Sequence, residues 1–488
     1  MSEQSTVLKL GLEVGLQEAQ EIDGQSRICN WLYNHLVEKG SQLKQEFLKS
    51  GNKESAMTLY SKRGLRNLLP SIKAENPFLK VVHSSPLKNT ALRVTSAIQD
   101  YQKSRKGKRK GKQTGWPQFR SWKKGWFSLL YDEPNKGFKV KGQQLILSLG
   151  MGIDRKQRSV KLGIPDAGLL KGQTIRNLRI VCELGKYYAI FTIEKLLPKT
   201  KPISKVIALD PNHKNLAYGV DTDRKGIEIA APKWLKIYDK RLDELKSKKD
   251  RCNKKAKKVS ALNEKEEPTG KEYYLPSRKW KKRDNALKKA LRKRREQTKT
   301  FMFTTAHALF KEYDCVAIGD YTPNGNGDNS IMRRAMNNRS VIGRFKETLS
   351  WVAAKSGKTF LEFDEKGTTR TCNCCHYVEP EGIPLEVRQW QCPICQAIHI
   401  RDENAGINGL RRVLRDLSKK NKGEYPSIVS GSDLSFVQKR WAWSVLPSGV
   451  LVIPRGQDGG FNHSSKKLKR GHDSPRSKVD YLTNLSQV

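Results

Sequence analysis

Five of the nine cysteines of this 488-residue chain lie within one short stretch, which strongly constrains how that stretch can fold. Cys372 and Cys375 form one Cys-x-x-Cys pair, and after sixteen intervening residues Cys392 and Cys395 form a second pair. Two such pairs can direct four thiolates at one tetrahedral ion and leave no open position for water. The spacing therefore predicts a structural zinc ribbon at residues 369–399 that binds one Zn²⁺ ion.

The charge balance of the chain indicates its partners. There are 94 Lys and Arg residues against 49 Asp and Glu residues, which gives a formal net charge of +45. Such an excess repels itself unless a polyanion shares the surface, so we expect a nucleic-acid partner. No run of about 18 apolar residues is present, which excludes a membrane-spanning helix. The N-terminal sequence lacks the pattern of a secretory signal, so we expect a reducing cytoplasmic environment in which the cysteines form no disulfides.

Residues 101–126, here called the basic–aromatic segment, contain ten Lys or Arg residues and no acid, with five aromatic residues interleaved. Basic side chains can neutralise phosphates while aromatic rings stack on bases. A solvated charged loop is the alternative interpretation, but the aromatic residues favour nucleic-acid contact. The predicted contact residues are Lys106, Lys108, Arg109, Lys110, Lys112, Trp116, Phe119, Arg120, Trp122 and Lys123.

Hydrophobic periodicity predicts an α+β multidomain protein. Short alternating stretches near the N-terminus and at residues 127–197 suit a small β-barrel that is interrupted by a helical insertion. The end of the chain is polar and contains Pro and Gly, which predicts a disordered tail. The predicted domains are a nucleic-acid-binding β-barrel (1–14 and 101–200), a helical insertion (15–100), an α/β domain (203–368 and 400–418) with its own helical insertion (233–312), the zinc ribbon (369–399) and a basic tail (419–488).

Two aspartates stand at the ends of predicted elements in the α/β domain. Asp210 ends the apolar run that begins at residue 205, and Asp402 starts the helix predicted directly after the zinc ribbon. Two metal ions that together hydrolyse a phosphodiester need several carboxylates converging from separate elements. Either aspartate alone could be a capping residue, but their ordered combination with the ribbon favours a metal site.

The ordered stretches IALDPNHKNLAYGVD, TRTCNCC…RQWQCPIC and HIRDENAGINGLRRVL resemble the RuvC nuclease core of TnpB-like transposon proteins and compact type V CRISPR effectors. The resemblance covers roughly residues 1–417. It implies an RNase H-like (RuvC) α/β nuclease domain with an inserted zinc ribbon, and a wedge-like barrel with a helical recognition insertion. It also implies two Mg²⁺ ions, or Mn²⁺ ions, held by carboxylates that include Asp210 and Asp402.

The third carboxylate is where this chain departs from the family. The family's glutamate directly follows the strand predicted at residues 315–318, but here Gly319 occupies that position and Asp320 comes next. A shift of one residue turns a side chain to the other face of the sheet, so Asp320 can substitute only if the strand bulges. Some related lineages carry the glutamate just before the zinc ribbon, where this chain has Glu365. We favour Glu365, with Asp320 as the alternative.

The resemblance implies an RNA-guided DNA endonuclease. In such a protein a guide RNA pairs with target double-stranded DNA beside a short flanking motif, and the RuvC site hydrolyses the exposed strands. The displaced third carboxylate keeps open a nuclease-dead, RNA-guided DNA-binding transcriptional repressor. A transposition accessory protein that binds nucleic acid through the zinc ribbon without a guide is a third interpretation. We expect a monomer with no membrane partner, and the resemblance implies a cytoplasmic prokaryotic protein that is associated with the nucleoid when bound to DNA.

Overall fold

The structure is a computed structural model that describes residues 3–109, 113–122, 124–152, 156–212, 215–254, 257–262, 268–321, 341–384, 386–420, 439–446 and 449–454. The chain divides into two compact units, Met1–Leu197 and Pro198–Val488. Among the described residues, no helix has both the length and the apolar character needed to span a membrane.

The first unit contains a helical group whose apolar faces share one core. In the longest helix, Ile22, Cys29, Leu32 and Leu36 are completely buried, and they recur at the three- and four-residue spacing that lines one helix face. The Asn52 side chain caps the next helix by accepting two backbone N–H groups. The helices are α1 (Leu16–Ser50), α2 (Lys53–Tyr60), α3 (Gly64–Asn67), α4 (Leu69–Glu75) and α5 (Ser84–Arg105).

The strands of the first unit form two sheets. They are β1 (Glu3–Gly11), β2 (Leu129–Tyr131), β3 (Phe138–Lys141), β4 (Gln144–Met151), β5 (Gln157–Gly163), β6 (Ile175–Glu183) and β7 (Lys186–Leu196). One sheet has the order β1-β7-β6-β2 and the other β3-β4-β5. Among the described residues, a single bridge between Glu13 and Gly163 joins the chain after β1 to β5. The predicted small β-barrel is not confirmed, because the described strands form two separate sheets.

The second unit is built on a seven-stranded mixed sheet. Its strands are β8 (Val206–Pro211), β9 (Ala217–Asp221), β10 (Lys225–Ile229), β13 (Cys315–Gly319), β14 (Thr359–Phe363), β17 (Lys439–Leu446) and β18 (Gly449–Pro454), in the order β14-β13-β8-β9-β10-β17-β18. β13 runs parallel to both β8 and β14, so these three strands end at the same edge of the sheet. β8, β9 and β10 are antiparallel neighbours.

Both faces of this sheet are covered by helices. The remaining elements are α6 (Lys233–Lys254), β11 (Lys258–Leu262), β12 (Pro268–Tyr274), α7 (Arg278–Glu312), α8 (Ile342–Ser356), β15 (Gln389–Gln391), β16 (Ile398–Ile400) and α9 (Arg401–Lys420). Successive residues of β8 alternate between two cores, because side chains along a strand point to opposite faces. Ile207 and Leu209 share a core with α7 and α8, whereas Val206 and Ala208 share one with α9.

The helical insertion predicted at residues 233–312 contains two long helices, α6 and α7, and a pair of strands between them. β11 and β12 pair antiparallel in the stretch where the sequence shows a Pro- and Gly-containing break. Leu242 of α6 packs with Leu287 and Ala290 of α7, and Asp239 forms an ion pair with Arg294 at 3.1 Å. These contacts hold the two helices side by side.

The prediction of a disordered tail at residues 419–488 is wrong for residues 439–446 and 449–454. β17 pairs parallel with β10 and forms an antiparallel hairpin with β18. Trp443 is only 3% exposed and joins the core of the sheet. The physical reason is local: KRWAWSVL and GVLVIP are apolar and aromatic strand formers, and the polar sequence around them masks this signal. The other residues of the tail after Lys420 lie outside the described residues.

Candidate metal sites and nucleic-acid interface

The structure brings Asp210, Glu365 and Asp402 to one edge of the second-unit sheet. Asp210 lies near the end of β8, Glu365 follows β14 by two residues, and Asp402 lies in the first turn of α9. The parallel strands place the first two residues at the same edge. Helix α9 can lie this close to the sheet because Gly406 has no side chain: a Cβ there would be 2.7 Å from Cγ2 of Val220.

Two of these carboxyl groups, Asp210 and Glu365, lie in an environment that disfavours negative charge. Burial, together with the carboxylates of Glu365 and Asp402, raises the pKa of Asp210 to about 8. Burial and the carboxylate of Asp320 raise the pKa of Glu365 to about 7. Asp402 has a cationic neighbour, since the Arg388 guanidinium lies 3.7 Å from its carboxylate. Arg401 and Lys346 partly offset the repulsion at Asp210 and Glu365, but both pKa values remain raised. Carboxyl groups gathered in this way are typical of a functional site.

Glu365 occupies the space that the missing side chain of Gly319 would fill. A Cβ built on Gly319 would collide with Oε2 of Glu365 and would lie 3.0 Å from Cδ of Pro211, the neighbour of Asp210. The Oε2 atom is buried and has no hydrogen-bond partner in the described part of the chain. The glutamate therefore lies over Gly319, which it reaches from the end of the adjacent strand.

Asp320 has a different environment. The pairing of β13 with β14 is regular from Cys315 to Gly319, so the bulge that would turn Asp320 to the face of Gly319 is not present. The Asp320 backbone N–H donates to the carbonyl of Phe363 at 2.9 Å, and its carboxylate accepts the backbone N–H of Glu365 at 3.2 Å. Asp320 thus holds the turn that carries Glu365.

The four ribbon cysteines converge as the spacing predicts. The Sγ atoms of Cys372 and Cys395 are 3.6 Å apart, those of Cys375 and Cys392 are 3.5 Å apart, and all four lie within 4.8 Å of one another. Thiolates about 2.3 Å from a central zinc ion in tetrahedral geometry lie about 3.8 Å from each other. The donor set and its geometry therefore fit one zinc ion.

Two asparagines of α9, which the sequence did not single out, connect the ribbon to the carboxylate edge. Asn404 Oδ1 accepts both the backbone and the side-chain N–H of Asn373, at 3.0 and 2.9 Å. Asn404 Nδ2 and Asn408 Nδ2 both donate to the carbonyl of Thr371, at 2.8 and 2.7 Å. These bonds hold the loop before Cys372 against the helix that carries Asp402. The signal in the sequence was two asparagines, four residues apart, just after Asp402.

A histidine also contacts one of the four ribbon cysteines. His399 Nε2 is 3.0 Å from Sγ of Cys372, and its Nδ1 is 3.2 Å from Nδ2 of Asn373. His399 is buried, and burial lowers its pKa. The histidine supports a ligand cysteine and belongs to the same network as Asn404.

In the first unit, the basic–aromatic segment packs along α1 through a stripe of polar side chains. Ser26 Oγ donates to the Phe127 carbonyl and accepts its N–H, at 2.8 and 3.0 Å. Asn30 and Asn34 both donate to the carbonyl of Arg120, and Asn34 also accepts the Arg120 N–H. The four-residue spacing puts these side chains on one face of the helix. Sequence reasoning missed this stripe, although polar residues between the apolar positions of α1 were its signal.

The tryptophans of the segment serve the fold. The indole N–H of Trp116 donates to Ser41 and that of Trp122 to Ser26, at 3.1 and 2.9 Å, and both rings pack against the core of the first unit. Lys44 lies over the ring of Trp116 and Arg27 over that of Trp122. These contacts show that both rings have partners on α1, and their stacking on bases stays a prediction.

Other predicted contact residues of the segment remain at the surface. Phe119 is 66% exposed, and Lys106, Lys108 and Arg109 are exposed as well. Arg120 is half-buried, with its guanidinium 4.9 Å from the ring centre of Phe127. Lys110, Lys112 and Lys123 lie outside the described residues.

Comparison with known proteins agrees with this architecture. Residues 343–408 match the family model described as Cas12f1-like, TNB domain. The TnpB-like proteins L79 and L770 of Acanthamoeba polyphaga mimivirus are each 26% identical to the chain over 171 residues, which is 34% of this chain and 31% of each relative. The match thus spans about a third of the length of these curated relatives.

One solved structure is similar in fold. The cryo-EM structure of the Cas12f1-sgRNA-target DNA complex matches with a TM-score of 0.55 at 10% identity, and the match covers 83% of this chain and 98% of that chain. The chain is therefore a mixed α/β protein with a Cas12-like fold and a zinc-ribbon-like cysteine cluster. The resemblance to TnpB-like proteins and compact type V effectors is confirmed.

Proposed function

We propose that this protein is an RNA-guided DNA endonuclease whose hydrolytic site consists of Asp210, Glu365 and Asp402. The observation that carries the proposal is the position of Glu365, whose carboxylate fills the space above Gly319 beside the strand of Asp210. The family glutamate has moved to the next strand, and the site keeps three carboxylates. This supports an active nuclease over one that has lost a metal ligand.

The residues at this edge fit divalent cations. Magnesium and manganese prefer carboxylate oxygen ligands, and the buried, unpartnered Oε2 of Glu365 is such a donor. Two ions that hydrolyse a phosphodiester need several carboxylates from separate elements, and Asp210, Glu365 and Asp402 come from two strand ends and a helix. Two bound Mg²⁺ or Mn²⁺ ions would activate water and stabilise the leaving oxygen of a phosphodiester.

The protein residues have separable tasks in this proposal. Asp210, Glu365 and Asp402 supply the negative charge that holds the cations. Asp320 fixes the Glu365 turn through the backbone N–H of that residue. The ribbon, with one Zn²⁺ ion bound by Cys372, Cys375, Cys392 and Cys395, stabilises the loop between β14 and α9 through Asn373 and Asn404.

The proposed partners are a guide RNA and target double-stranded DNA. The formal charge of +45 supports a protein that grips nucleic-acid backbone over a large surface. The similar Cas12f1 structure is a complex with sgRNA and target DNA. Because base pairing supplies the sequence readout in RNA-guided recognition, basic residues are needed more than base-reading side chains.

The test begins with sequencing of the RNA that copurifies with the full-length chain. The purified complex is then given DNA that matches the guide, with Mg²⁺ or with EDTA. We expect cleavage only with the metal, and loss of cleavage with retained guided binding for Asp402→Asn. As a matched control, Asp416→Asn changes an exposed acid of the same helix and should cleave normally. Guided binding by the unmutated complex without cleavage in either Mg²⁺ or Mn²⁺ would overturn the nuclease assignment.

A further inference from the structure

Three arginines of the first unit converge from different elements. Arg93 of α5 donates to Ser128 Oγ at 3.0 Å, and its guanidinium lies 4.6 Å from the ring centre of Phe127. The Arg120 guanidinium, from the basic–aromatic segment, lies 4.9 Å from the same ring centre. Phe127 itself is only 1% exposed, so its buried ring fixes the positions of two cations.

The third arginine comes from the neighbouring strand. Arg179 of β6 is the ladder partner of Leu130 in β2. Leu178 and Ile180, on either side of it, are completely buried, so Arg179 points away from the core. Ser128 lies two residues before Leu130 and therefore on the same face, where it holds Arg93.

No carboxylate balances this cluster within the part of the chain that the structure describes. None of the three arginines forms an ion pair there, whereas Arg176, on the same strand as Arg179, pairs with Glu194 at 2.5 Å. Burial and the nearby guanidinium groups of Arg179 and Arg120 lower the pKa of Arg93, which shows that the like charges interact. An anion that joined the cluster would relieve this repulsion.

The backbone that carries Arg120 is already fixed. Asn30 and Asn34 of α1 hold both its carbonyl and its N–H, and Ser26 holds Phe127. The backbone at Arg120 is therefore preorganised, so little conformational entropy would be lost there when a ligand binds. Guanidinium groups suit phosphate because their N–H groups form a planar fork that matches its oxygens.

We propose that Arg93, Arg120 and Arg179 form a binding site for a backbone phosphate of a nucleic acid. The inference deepens the proposed function and rests on it for the class of ligand. It moves the main contact of this region from the tryptophans of the basic–aromatic segment to a cluster that also uses α5 and β6. The phosphate can belong to RNA or to duplex DNA, and the experiment separates the two.

The experiment measures affinity of the nucleic-acid-free, full-length protein for two fluorescent probes of equal length, a single-stranded RNA and a DNA duplex, between 50 and about 300 mM salt. We expect Arg93→Gln/Arg179→Gln to weaken binding of at least one probe by about tenfold or more at about 150 mM salt. The slope of log affinity against log salt should fall by about 0.7–0.9 for each phosphate that the variant no longer neutralises. A change limited to RNA identifies the guide strand as the source, and one limited to the duplex identifies target DNA.

The matched control is Arg176→Gln, which removes one charge from the strand of Arg179 but from a residue already paired with Glu194, and it is compared with Arg179→Gln alone. It should change the affinity by no more than about twofold. If the two variants lose affinity equally, or neither does, the site is overturned. Thermal unfolding guards against misfolding: Arg179→Gln without nucleic acid should unfold at the same or a higher temperature, because it relieves repulsion.

The outcome is independent of cleavage. Wild-type protein that binds RNA with the expected slope but never cuts DNA would contradict the proposed nuclease and leave the phosphate site standing. Normal guided cleavage with an unchanged salt slope in the double variant would contradict the phosphate site and leave the proposed nuclease standing.

Discussion

The two ends of the parallel strands in the second unit carry acids in opposite electrostatic states. At the carboxyl ends, Asp210 and Glu365 have pKa values raised to about 8 and about 7 by burial and by neighbouring carboxylates. At the amino ends, Asp314 directly precedes β13, and both of its carboxylate oxygens accept hydrogen bonds. Its carboxylate accepts Lys358 Nζ and Ser204 Oγ, each at 2.6 Å, and the backbone N–H of Lys205 at 3.1 Å.

The difference lies in what the fold provides to each acid. Burial alone would raise the pKa of Asp314, but Lys358, Ser204 and the backbone N–H groups hold it at about 2. No comparable set of donors surrounds Oε2 of Glu365 among the described residues. A carboxylate that receives hydrogen bonds from the chain stabilises the fold. A buried carboxylate without such donors lowers stability and is typical of a ligand-binding site.

The largest expected effect tests this contrast at the carboxyl ends. Glu365→Gln keeps shape and removes the charge that holds the cation, so guided DNA cleavage should fall at least about a thousandfold, which corresponds to several kcal/mol. Thermal stability should not fall, because a buried unsatisfied charge is lost. Gel-based cleavage and calorimetry on the same preparation measure both.

Asp320→Asn is the matched comparison, since its amide oxygen can still accept the Glu365 N–H. It should reduce cleavage by no more than about tenfold. An inactive Asp320→Asn beside an active Glu365→Gln would show that the usual strand position has kept the catalytic acid.

The next largest effect concerns the ribbon between β14 and α9. Cys392→Ser should remove bound zinc and destabilise the second unit by about 3–5 kcal/mol, because metal binding free energy is folding free energy in such modules. Cleavage should fall with it, since Asn373 and Asn404 connect the ribbon to the helix of Asp402. Metal analysis and chemical denaturation provide the measurements.

The neighbouring Cys374→Ser serves as the control. Cys374 is exposed and is not one of the four converging cysteines, so its variant should keep one zinc ion per chain. Full zinc content in Cys392→Ser would refute the four-cysteine assignment.

The sequence could predict the parts of the site that are close together along the chain. The two Cys-x-x-Cys pairs carry their geometry in their spacing, and Asp402 follows the ribbon directly. The role of Glu365 depends on which strand neighbours β13, because its side chain fills the space above Gly319 from across the ladder. That pairing is a long-range property, so Glu365 was favoured from the resemblance and not from the composition around it.

In the first unit, the sequence could not predict whether the aromatic side chains of the basic–aromatic segment face the core or the solvent. The composition of the basic–aromatic segment indicates nucleic acid, but it cannot tell that the Trp122 N–H is bonded to Ser26. The hairpin at 439–454 was missed for a related reason. Its partner β10 lies more than two hundred residues earlier, and a short apolar stretch in a polar tail has no evident sheet to join.

A smaller effect is expected at the amino end of the strands. Asp314→Asn should lower the free energy of unfolding by about 2 kcal/mol at neutral pH, since a pKa held at about 2 differs from the ordinary 3.8 by an amount of that size. The folded-state pKa is depressed, so this stability is present above about pH 4 and is lost as the pH falls towards 2. Urea denaturation between pH 3 and pH 7 should show the variant and wild type converging at low pH. A constant difference across that range would mean that packing, not charge, is responsible.

The smallest effect concerns two aromatic residues of the basic–aromatic segment, one without and one with a hydrogen-bond partner in the fold. Phe119 is exposed and has no role in the core, so Phe119→Ala should leave stability unchanged and weaken single-stranded RNA binding by about fivefold to tenfold, the value of one stacked base. Trp122→Phe removes the N–H that Ser26 accepts, so it should cost about 1 kcal/mol of stability with RNA affinity unchanged. Fluorescence titration with a labelled RNA and thermal unfolding of both variants measure the pair. The opposite pattern, in which Trp122→Phe impairs RNA binding and Phe119→Ala does not, would return the tryptophan to the nucleic-acid interface and break the rule that satisfied groups serve the fold.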